Sequence, residues 1–512
     1  MPLPERCFIS LLLLIFIAKG VIVTFVHPPY SGHDEVAHYA YLRMVAEEGR
    51  VPLLPDLEAW REIYRDTGEF SHDRMPGEFW EYCRRATIDW SPGCEDPRFR
   101  NQPIYAMSLA GSYFPTGWIY TANHPPLYYV VMTPAYWLTD GASIETQLYV
   151  LRLAAIPFGL VVVVMAWLTA RTLFPRDRFL AWLVPAFVAF QPQISYEAAM
   201  LNNDILAIAF TSVVVYLIVL GLKRGFPIGT VALIGFFYGL AVLSKNTSLT
   251  TGGIIAFAMV FGIGVRRWRE WLAKGALAAA IALLMIWPWY LYMWRTYGDF
   301  TALSRIRELQ YWNYDGSDRP TIWAQLVSKR FFFMRWRETW GEFGWRLIPI
   351  GDPDARDWYL LRLLLLVCLV ACIGIAVWSI RVYRTQRRKL ADDQEALPSR
   401  RASDPVLVVE RWQVVGVLTM GVTCLLAYFA ILQFGTTFSL TQARYYFPAI
   451  VPAALLFVLG LRSTLPNRWH PFAGGGLLLG LAVLNVVIYT AYVLPYWSTV
   501  GIDTVDLPQF YR

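Results

Sequence analysis

Charged residues are scarce in this chain. Only 16% of its 512 residues are Asp, Glu, Lys or Arg, whereas 56% are hydrophobic, and the mean hydropathy is +0.40. This balance excludes an ordinary soluble protein and is typical of a polytopic membrane protein. The formal charge of +7 does not indicate a nucleic-acid partner, because the basic residues gather in short loops between apolar runs.

Cysteine is also scarce, and neither a CxxC nor an HExxH spacing occurs. The sequence therefore predicts no metal-binding motif, although a divalent metal stays open as a cofactor. Four cysteines lie within apolar runs and are expected to be small core residues: Cys7, Cys368, Cys372 and Cys424. There is no internal repeat, which disfavours a secondary transporter.

The chain does contain a series of long apolar runs. The first, residues 7–26, follows Arg6 and has the length of about 20 residues with which a helix spans roughly 30 Å of hydrocarbon. No small-residue cleavage site follows it, so we expect a retained anchor. Ten further runs lie near residues 148–170, 179–195, 204–221, 228–243, 248–264, 272–292, 358–380, 412–433, 445–461 and 470–494.

The basic residues predict how these runs are oriented. They are concentrated in five connections that should face the cytoplasm, at residues 174–178, 222–225, 266–270, 381–411 and 462–468. All five connections lie on the same side only if a shorter run, 125–138, stays at the membrane interface without crossing. The prediction is an all-α protein with about 11 transmembrane helices, the amino terminus inside and the carboxyl terminus outside. In the alternative of about 12 spans, 125–138 crosses and the basic loops are inverted.

This topology divides the chain into three parts. Residues 1–380 are expected to form a transmembrane catalytic module, with outer loops at 27–147 and 295–357. The first outer loop is expected to be helical and membrane-peripheral. Residues 381–411 would be a charged cytoplasmic loop, and residues 412–512 the last transmembrane helices with a short outer tail.

Five polar motifs fall on the predicted outer side. They are "VHPPYSGHDEVAHYAYLRM", "NHPPLYY", "SYEAAMLNNDIL", "SKNTS" and "TQARYYFP", at residues 26–44, 123–129, 195–206, 244–248 and 441–448. Polar groups at a membrane surface are costly unless they are paired or hydrated, and they usually mark function. Their convergence on one face predicts a single site.

The first of these motifs predicts a short helix with Ser31 as its N-cap and Gly49 at its end. One face of this helix holds three polar side chains, Asp34, His38 and Tyr41. Glu35 points about 100° away, on a more apolar strip that would rest on lipid or on other helices. In a plainer interpretation, the acids only offset the helix dipole.

The order and spacing of the motifs resemble the GT-C superfamily of polyprenyl-phosphate-sugar-dependent glycosyltransferases, especially the protein O-mannosyltransferase and aminoarabinose-transferase branch. The segments "HDEVAH", "NHPPLYY", "LNNDILAI", "GLAVLSKNTSL" and "QARYYFP" show the resemblance, which extends over residues 7–461. It implies transfer of a sugar from a polyprenyl-phosphate-linked donor to an extracytoplasmic protein, lipid or glycan acceptor. The site would face outward from the plasma membrane.

The resemblance also implies roles for single residues. Asp34 matches the catalytic base of the family, and Glu35 beside it is the second candidate. Asn203 and Asp204 match the acidic motif at the start of a later helix. Further residues are expected to support or bind substrate: His38, Tyr41 and Tyr128. In a plainer interpretation, Asp204 is a helix N-cap and Tyr128, Tyr129 and Trp137 are interface anchors.

Lys245 and Arg444 match cations that hold the donor phosphate. His124 stands where the family has a lysine, and a neutral imidazole is a weaker partner for phosphate. The chemistry needs these residue types, because a carboxylate can take the proton of an attacking hydroxyl, and an acidic phosphate leaving group needs cations more than a proton donor. Arginines of the second outer loop are additional candidates: Arg335, Arg337 and Arg346. Each cation has a plainer interpretation as a snorkelling interface residue.

Two other classes of protein stay open at this point. A transporter or flippase for a lipid-linked sugar or polysaccharide would also have polar groups within the membrane. A catalytically inert membrane partner would have the same composition. Only an enzyme should lose turnover when Asp34 is changed while expression and lipid binding are kept.

The topology can be tested by cysteine-accessibility labelling from each side of the membrane. Single cysteines in 381–411 should react only from the cytoplasm, and those in 295–357 only from outside, because the basic excess lies in the former. Protection of both loops from the outer reagent would contradict the topology.

Cys83 and Cys94 lie in the same predicted outer loop, and we expect them to form a disulfide if the compartment is oxidising. This bond would restrict the unfolded chain by about 3 kcal/mol. Thiol quantification of non-reduced protein should find both cysteines blocked. Free thiols at both positions would refute the pairing.

Overall fold

The computed structural model describes residues 3–54, 56, 119–309, 319–344, 348–351, 358–392, 404–438 and 441–499. The helices are α1 (Leu3–Val26), α2 (Glu35–Glu48), α3 (Leu127–Trp137), α4 (Ile144–Leu173), α5 (Arg178–Phe190), α6 (Pro192–Ala198), α7 (Asp204–Arg224), α8 (Ile228–Ser244), α9 (Thr251–Ile263), α10 (Trp268–Tyr297), α11 (Leu303–Leu309), α12 (Ile322–Val327), α13 (Lys329–Trp340), α14 (Trp358–Asp392), α15 (Arg411–Gly435), α16 (Ile450–Thr464), α17 (His470–Val487) and α18 (Leu494–Thr499). Short 3₁₀ helices at Tyr120–Asn123, Asn246–Thr250 and Ala443–Ala449 precede α3, α9 and α16. Within the described ranges, the sheet structure is one antiparallel pair, β1 (Glu342–Phe343) with β2 (Ile348–Pro349). Cys83 and Cys94 lie outside the described residues.

The predicted apolar runs are all helical. Nine helical segments in the described part are long and apolar enough to cross a membrane: Pro4–Val26, Ile144–Leu173, Asp204–Arg224, Asn246–Ile263, Trp268–Tyr297, Tyr359–Arg387, Arg411–Gly435, Ala443–Thr464 and Asn467–Ser498. The remaining two runs are occupied by the shorter apolar helices α5 and α8. The prediction of an all-α polytopic membrane fold is confirmed.

The helix in the questioned run 125–138 is short. α3 has 11 residues, which corresponds to a length of about 16 Å, roughly half the thickness of the hydrocarbon. It packs against α2, so the two helices around the first outer loop form one unit. This length fits the interfacial interpretation of the run and not the alternative in which it crosses.

Glycines allow α14 and α16 to pack with their backbones in contact. A Cβ atom added at Gly374 would lie 1.9 Å from the carbonyl oxygen of Gly460, and one added at Gly460 would lie 2.0 Å from that of Ala371. Neither position has room for a side chain. Small residues at helix crossings are the usual solution in membranes, where close packing provides most of the helix–helix attraction.

A fully buried ion pair joins the start of α2 to α4. Arg152 donates from Nε to Oε1 of Glu35 at 2.8 Å and from Nη2 to Oε2 at 2.6 Å. The same carboxylate accepts the backbone N–H groups of Gly32 at 3.0 Å and Leu201 at 2.9 Å. Four donors therefore occupy the two oxygens of this carboxylate. The strip of Glu35 does rest on other helices, as one of the two expectations had it, but the charged partner Arg152 was not expected there. With both oxygens engaged, the geometry speaks against Glu35 as a catalytic residue.

Arg152 also organises the chain between α1 and α2. Its Nη1 donates to the carbonyl oxygens of Thr24 at 3.1 Å and His27 at 2.6 Å, and its Nη2 donates to that of Pro28 at 2.8 Å. Carbonyls at the end of a helix lack intrahelical partners, and Arg152 supplies donors to those of Thr24 and His27. The carbonyl of Pro28 also accepts from Ser31. Leu201, which precedes α7, is also bound to this ion pair. One buried charge pair therefore fixes the end of α1, the start of α2 and the segment before α7.

This arrangement predicts a large effect of Glu35→Gln on stability. The change leaves the buried guanidinium of Arg152 without a counter-charge, and removing one partner of a buried pair costs about 3–5 kcal/mol in the free energy of unfolding. Thermal unfolding in detergent would measure it. The matched control is Glu308→Gln, because Glu308 is exposed and lies 3.6 Å from Arg305, and exposed pairs contribute little. Equal melting temperatures for the two variants would contradict the anchoring role.

Candidate active site

Four charged side chains meet at one end of the helical bundle. Arg444 contacts the carboxylate of Asp34 through Nη2, and its Nη1 lies 3.5 Å from Oδ2 of Asp204. Lys245 donates from Nζ to Oδ1 of Asp204 at 2.6 Å. Acids and cations alternate along the row Asp34, Arg444, Asp204, Lys245, which we call the charge cluster. All four are largely buried, and Asp34 is the most accessible, with 13% of its side chain exposed.

The members of the charge cluster come from the ends of different apolar helices. Asp34 precedes α2, Asp204 begins α7, Lys245 directly follows α8, and Arg444 lies in the 3₁₀ helix before α16. They are far apart in the sequence. The predicted topology placed these motifs on one side of the membrane, and the structure brings them together.

Asp34 occupies the N-cap position of α2 in the left-handed conformation, with φ 57° and ψ 18°. The prediction of Ser31 as N-cap is wrong, because its Oγ donates to the carbonyl of Pro28 at 2.6 Å. Asp is one of the few residues that tolerate this backbone conformation. Its side chain does not cap the helix but accepts a hydrogen bond from the hydroxyl of Tyr120 at 2.7 Å. The predicted end of the helix at Gly49, with φ 65°, is confirmed.

His38 and Tyr41, which were predicted to share the face of Asp34, contact the neighbouring loop and α3. Nδ1 of His38 and the hydroxyl of Tyr129 share a hydrogen bond of 2.9 Å. Tyr41 donates to the carbonyl of His124 at 2.9 Å. The ring of His124 in turn lies beside Asn203, with Nδ1 and Nδ2 3.2 Å apart. These contacts form a polar wall next to the charge cluster.

Burial and neighbouring charges set the protonation of this wall and of Asp34. Burial raises the pKa of the Asp34 carboxyl, but the charge of Arg444 and the hydrogen bonds to the carboxylate outweigh burial and hold the pKa below its usual range. Burial lowers the pKa of His38 to about 3. Burial, and then the nearby cationic charge, also hold the pKa of His124 well below its usual value. At neutral pH, the site therefore combines a charged carboxylate with neutral imidazoles.

The aromatic residues of the site differ in their surroundings. Tyr128 and Tyr129 are buried, and the ring of Tyr129 stacks on that of Tyr41 with centroids 3.6 Å apart. Their interpretation as interface anchors is therefore wrong. Trp137 is 60% exposed and donates from Nε1 to the carbonyl of Ala46 at 3.2 Å, which fits a residue at the membrane interface.

Arginines of the second outer loop were additional candidates for the phosphate site. Arg335 donates to Glu338 at 2.6 Å, and Arg337 donates to Glu342 at 3.2 Å. Both arginines therefore pair with acids of their own segment. Arg346 lies outside the described residues.

Sequence reasoning missed three residues that support the site. Tyr120 binds Asp34, and Arg152 anchors the start of α2. Glu338 accepts the backbone N–H of Ala443 at 2.7 Å, which holds the turn that contains Arg444. Only Arg152 had a signal in the sequence, because a charged residue within an apolar run is costly and rarely without a role.

Parts of the chain are similar to known proteins. Residues 123–292, which include His124, Asp204 and Lys245, match the family model described as dolichyl-phosphate-mannose-protein mannosyltransferase. A curated relative is undecaprenyl phosphate-alpha-4-amino-4-deoxy-L-arabinose arabinosyl transferase of Pseudomonas aeruginosa, which is 26% identical over 376 residues. The alignment covers 70% of this chain and 54% of the relative, so the chain spans about half the length of that protein.

Two solved structures have a similar arrangement of helices. ArnT of Cupriavidus metallidurans bound to undecaprenyl phosphate has 15% sequence identity and a TM-score of 0.41, with 96% of this chain and 73% of that chain covered. The oligosaccharyltransferase of Archaeoglobus fulgidus has 15% identity and a TM-score of 0.45, with 94% and 53% covered. The motif pattern, the matching family model and the arabinosyl transferase relative together support a glycosyltransferase of the GT-C superfamily.

Proposed function

We propose that this chain transfers a sugar from a polyprenyl-phosphate-linked donor to an acceptor hydroxyl on the outer side of the membrane, with Asp34 as the general base. The observation that supports this most strongly is the charge cluster. It puts the carboxylate of Asp34 in contact with Arg444, and Asp204 links Arg444 to Lys245, so that a base and a phosphate site are adjacent. That adjacency is what a glycosyl transfer with a phosphate leaving group requires.

In the proposed step, the acceptor oxygen forms a bond to the anomeric carbon of the sugar while its proton passes to Asp34. The bond between the anomeric carbon and the phosphate oxygen breaks, and its electron pair stays on the polyprenyl phosphate. Asp34 is charged at neutral pH and can accept the proton. Its partial exposure, 13% of the side chain, gives an acceptor access to the carboxylate.

Arg444 and Lys245 are the groups that would hold the donor phosphate. Nε of Arg444 is buried and has no hydrogen-bond partner among the described residues, which leaves a donor for a phosphate oxygen. His124 replaces the lysine of the family, and its low pKa makes it neutral. It would therefore offer hydrogen bonding and no charge to the donor.

The described residues offer no ready metal site beside this cluster. No group of three His, Cys, Asp or Glu side chains in that part of the chain is placed to share an ion. The oxygens of Asp34 and Asp204 are already turned toward Arg444 and Lys245. Because of these contacts, we assign the donor phosphate to Arg444 and Lys245.

The donor class follows the relatives. The arabinosyl transferase relative is named for undecaprenyl phosphate and 4-amino-4-deoxy-L-arabinose, and the matching family model is named for dolichyl-phosphate-mannose. Both are sugars on a polyprenyl-type phosphate, and this shared part is what we assign to the chain. With this donor, we expect the chain to act as an integral protein of the plasma membrane and to use a protein, lipid or glycan as acceptor.

Asp34→Asn tests the proposal. Asn keeps the size of the side chain and tolerates the left-handed backbone, but it cannot accept the proton, so transfer should fall by about 100- to 10,000-fold while donor binding is kept. Turnover of a panel of polyprenyl-phosphate sugars by purified protein in lipid nanodiscs would measure this. The matched control is Asp404→Asn, which breaks a distant Asp–Arg pair, with Arg462 at 2.7 Å, and should leave transfer unchanged.

The outcomes separate the three classes of protein. Normal transfer by Asp34→Asn would refute Asp34 as the base. Movement of intact lipid-linked sugar across the membrane without sugar transfer by the wild type would instead identify a flippase. Neither activity with any donor of the panel would favour an inert membrane partner.

A further inference from the structure

Arg444 has two roles in the site that compete with each other. It is the direct partner of Asp34, the proposed base, and it is also a proposed ligand of the donor phosphate. The charge cluster holds two acids and two cations, so it contains no spare positive charge for a third anion. A donor phosphate must therefore share or take the cations from the carboxylates.

The contacts of Arg444 and Lys245 indicate which N–H groups a phosphate would bind. Arg444 contacts Asp34 through Nη2. Its Nη1, which is 3.5 Å from Asp204, and its Nε have no hydrogen-bond partner among the described residues. Lys245 is held by the 2.6 Å contact with Asp204. A guanidinium binds phosphate best with two N–H groups in its plane. Both planar pairs of a guanidinium include Nη2, the nitrogen that contacts Asp34, so a phosphate bound in this way approaches the same nitrogen as the carboxylate.

The groups facing Asp34 come from every element around it. They are Arg444, Tyr120, His38, Lys245, His124, Tyr129 and Tyr445. The imidazole of His38 is neutral at physiological pH, so it does not replace a lost counter-charge. The contact with Arg444 is the strongest interaction that keeps the Asp34 carboxylate deprotonated, and a carboxylate held in this way is a weak base.

We propose that the donor phosphate competes with Asp34 for Arg444, so that donor binding releases Asp34 to take the proton of the acceptor. This inference rests on the proposed function and adds an order to it. Before the donor binds, Arg444 balances the negative charge of the Asp34 carboxylate, and Asp34 does not activate an acceptor or water. After the donor binds, the phosphate occupies Arg444, and Asp34 gains proton affinity when the sugar is in place.

Reciprocity makes the coupling measurable without turnover. If phosphate and Asp34 compete for Arg444, removing the charge of Asp34 must strengthen phosphate binding by the same factor with which phosphate weakens the pair. We expect Asp34→Asn to bind farnesyl methyl phosphate about tenfold more tightly than wild type. This phosphodiester has no second ionisation near neutral pH, so its own charge is constant during the measurement.

A double-mutant cycle separates competition for Arg444 from plain repulsion between two anions. Binding is measured by calorimetry on the full chain in nanodiscs for wild type, Asp34→Asn, Arg444→Gln and the double variant. In the Arg444→Gln background, the gain from Asp34→Asn should vanish. Asp404→Asn, the distant control, should bind like wild type. A gain that persists without Arg444, or no gain in the single variant, overturns the proposal.

The pH dependence gives a second test if Arg444→Gln does not fold. Phosphate binding raises the pKa of Asp34, so protons are taken up on binding, and the affinity should increase as pH falls from the pKa of the complex toward that of the free protein. This increase should be absent in Asp34→Asn. Equal pH dependence in both proteins overturns the coupling. Failure of the proposed function is distinguishable, because the wild type would then show no sugar transfer although phosphate binding can still be measured.

Discussion

The ion pair between Arg152 and Glu35 is the constraint on which the site depends. Two charges without access to water are stable only if every donor and acceptor is used, and here the pair binds three carbonyls of the chain that leaves α1 and two backbone N–H groups. The left-handed turn at Asp34 and the segment before α7 are therefore set by one interaction. The proposed base, Asp34, is held in position because its neighbour in the sequence, Glu35, is fixed by Arg152.

The same rule explains why the functional groups are each other's partners. A buried charge without a partner is unstable, so a site that needs two cations for a phosphate must balance them with acids while it is empty. Asp34 and Asp204 supply this balance for Arg444 and Lys245. In the proposed mechanism, the base Asp34 is therefore paired with Arg444, a group that the donor phosphate would also need, because charges in a low-dielectric environment must be paired.

Much of this could be predicted from the sequence, and the rest could not for physical reasons. Apolar length and basic loops are local signals, so the spanning helices and the convergence of Asp34, Asp204, Lys245 and Arg444 were accessible. Helical periodicity gives the direction of Glu35 but not what lies there. Its partner is 117 residues away in α4, and such pairing is visible only in three dimensions. Ser31 failed as N-cap because a capping residue is chosen by backbone geometry, and its hydroxyl was already bound to Pro28.

The histidine at position 124 also follows from the charge balance. The nearby cationic charge and its burial keep this imidazole neutral, so the cluster is neutral overall, and a phosphodiester donor would bring it to one net negative charge. In the proposed reaction, Asp34 gains a proton as the phosphate gains a negative charge, so the net charge of the site does not change. The negative charge only moves from Asp34 to the phosphate, toward Arg444 and Lys245. A reaction that shifts charge between fixed partners needs little reorganisation of its surroundings, and a third cation at position 124 would leave the empty site with an unpaired charge.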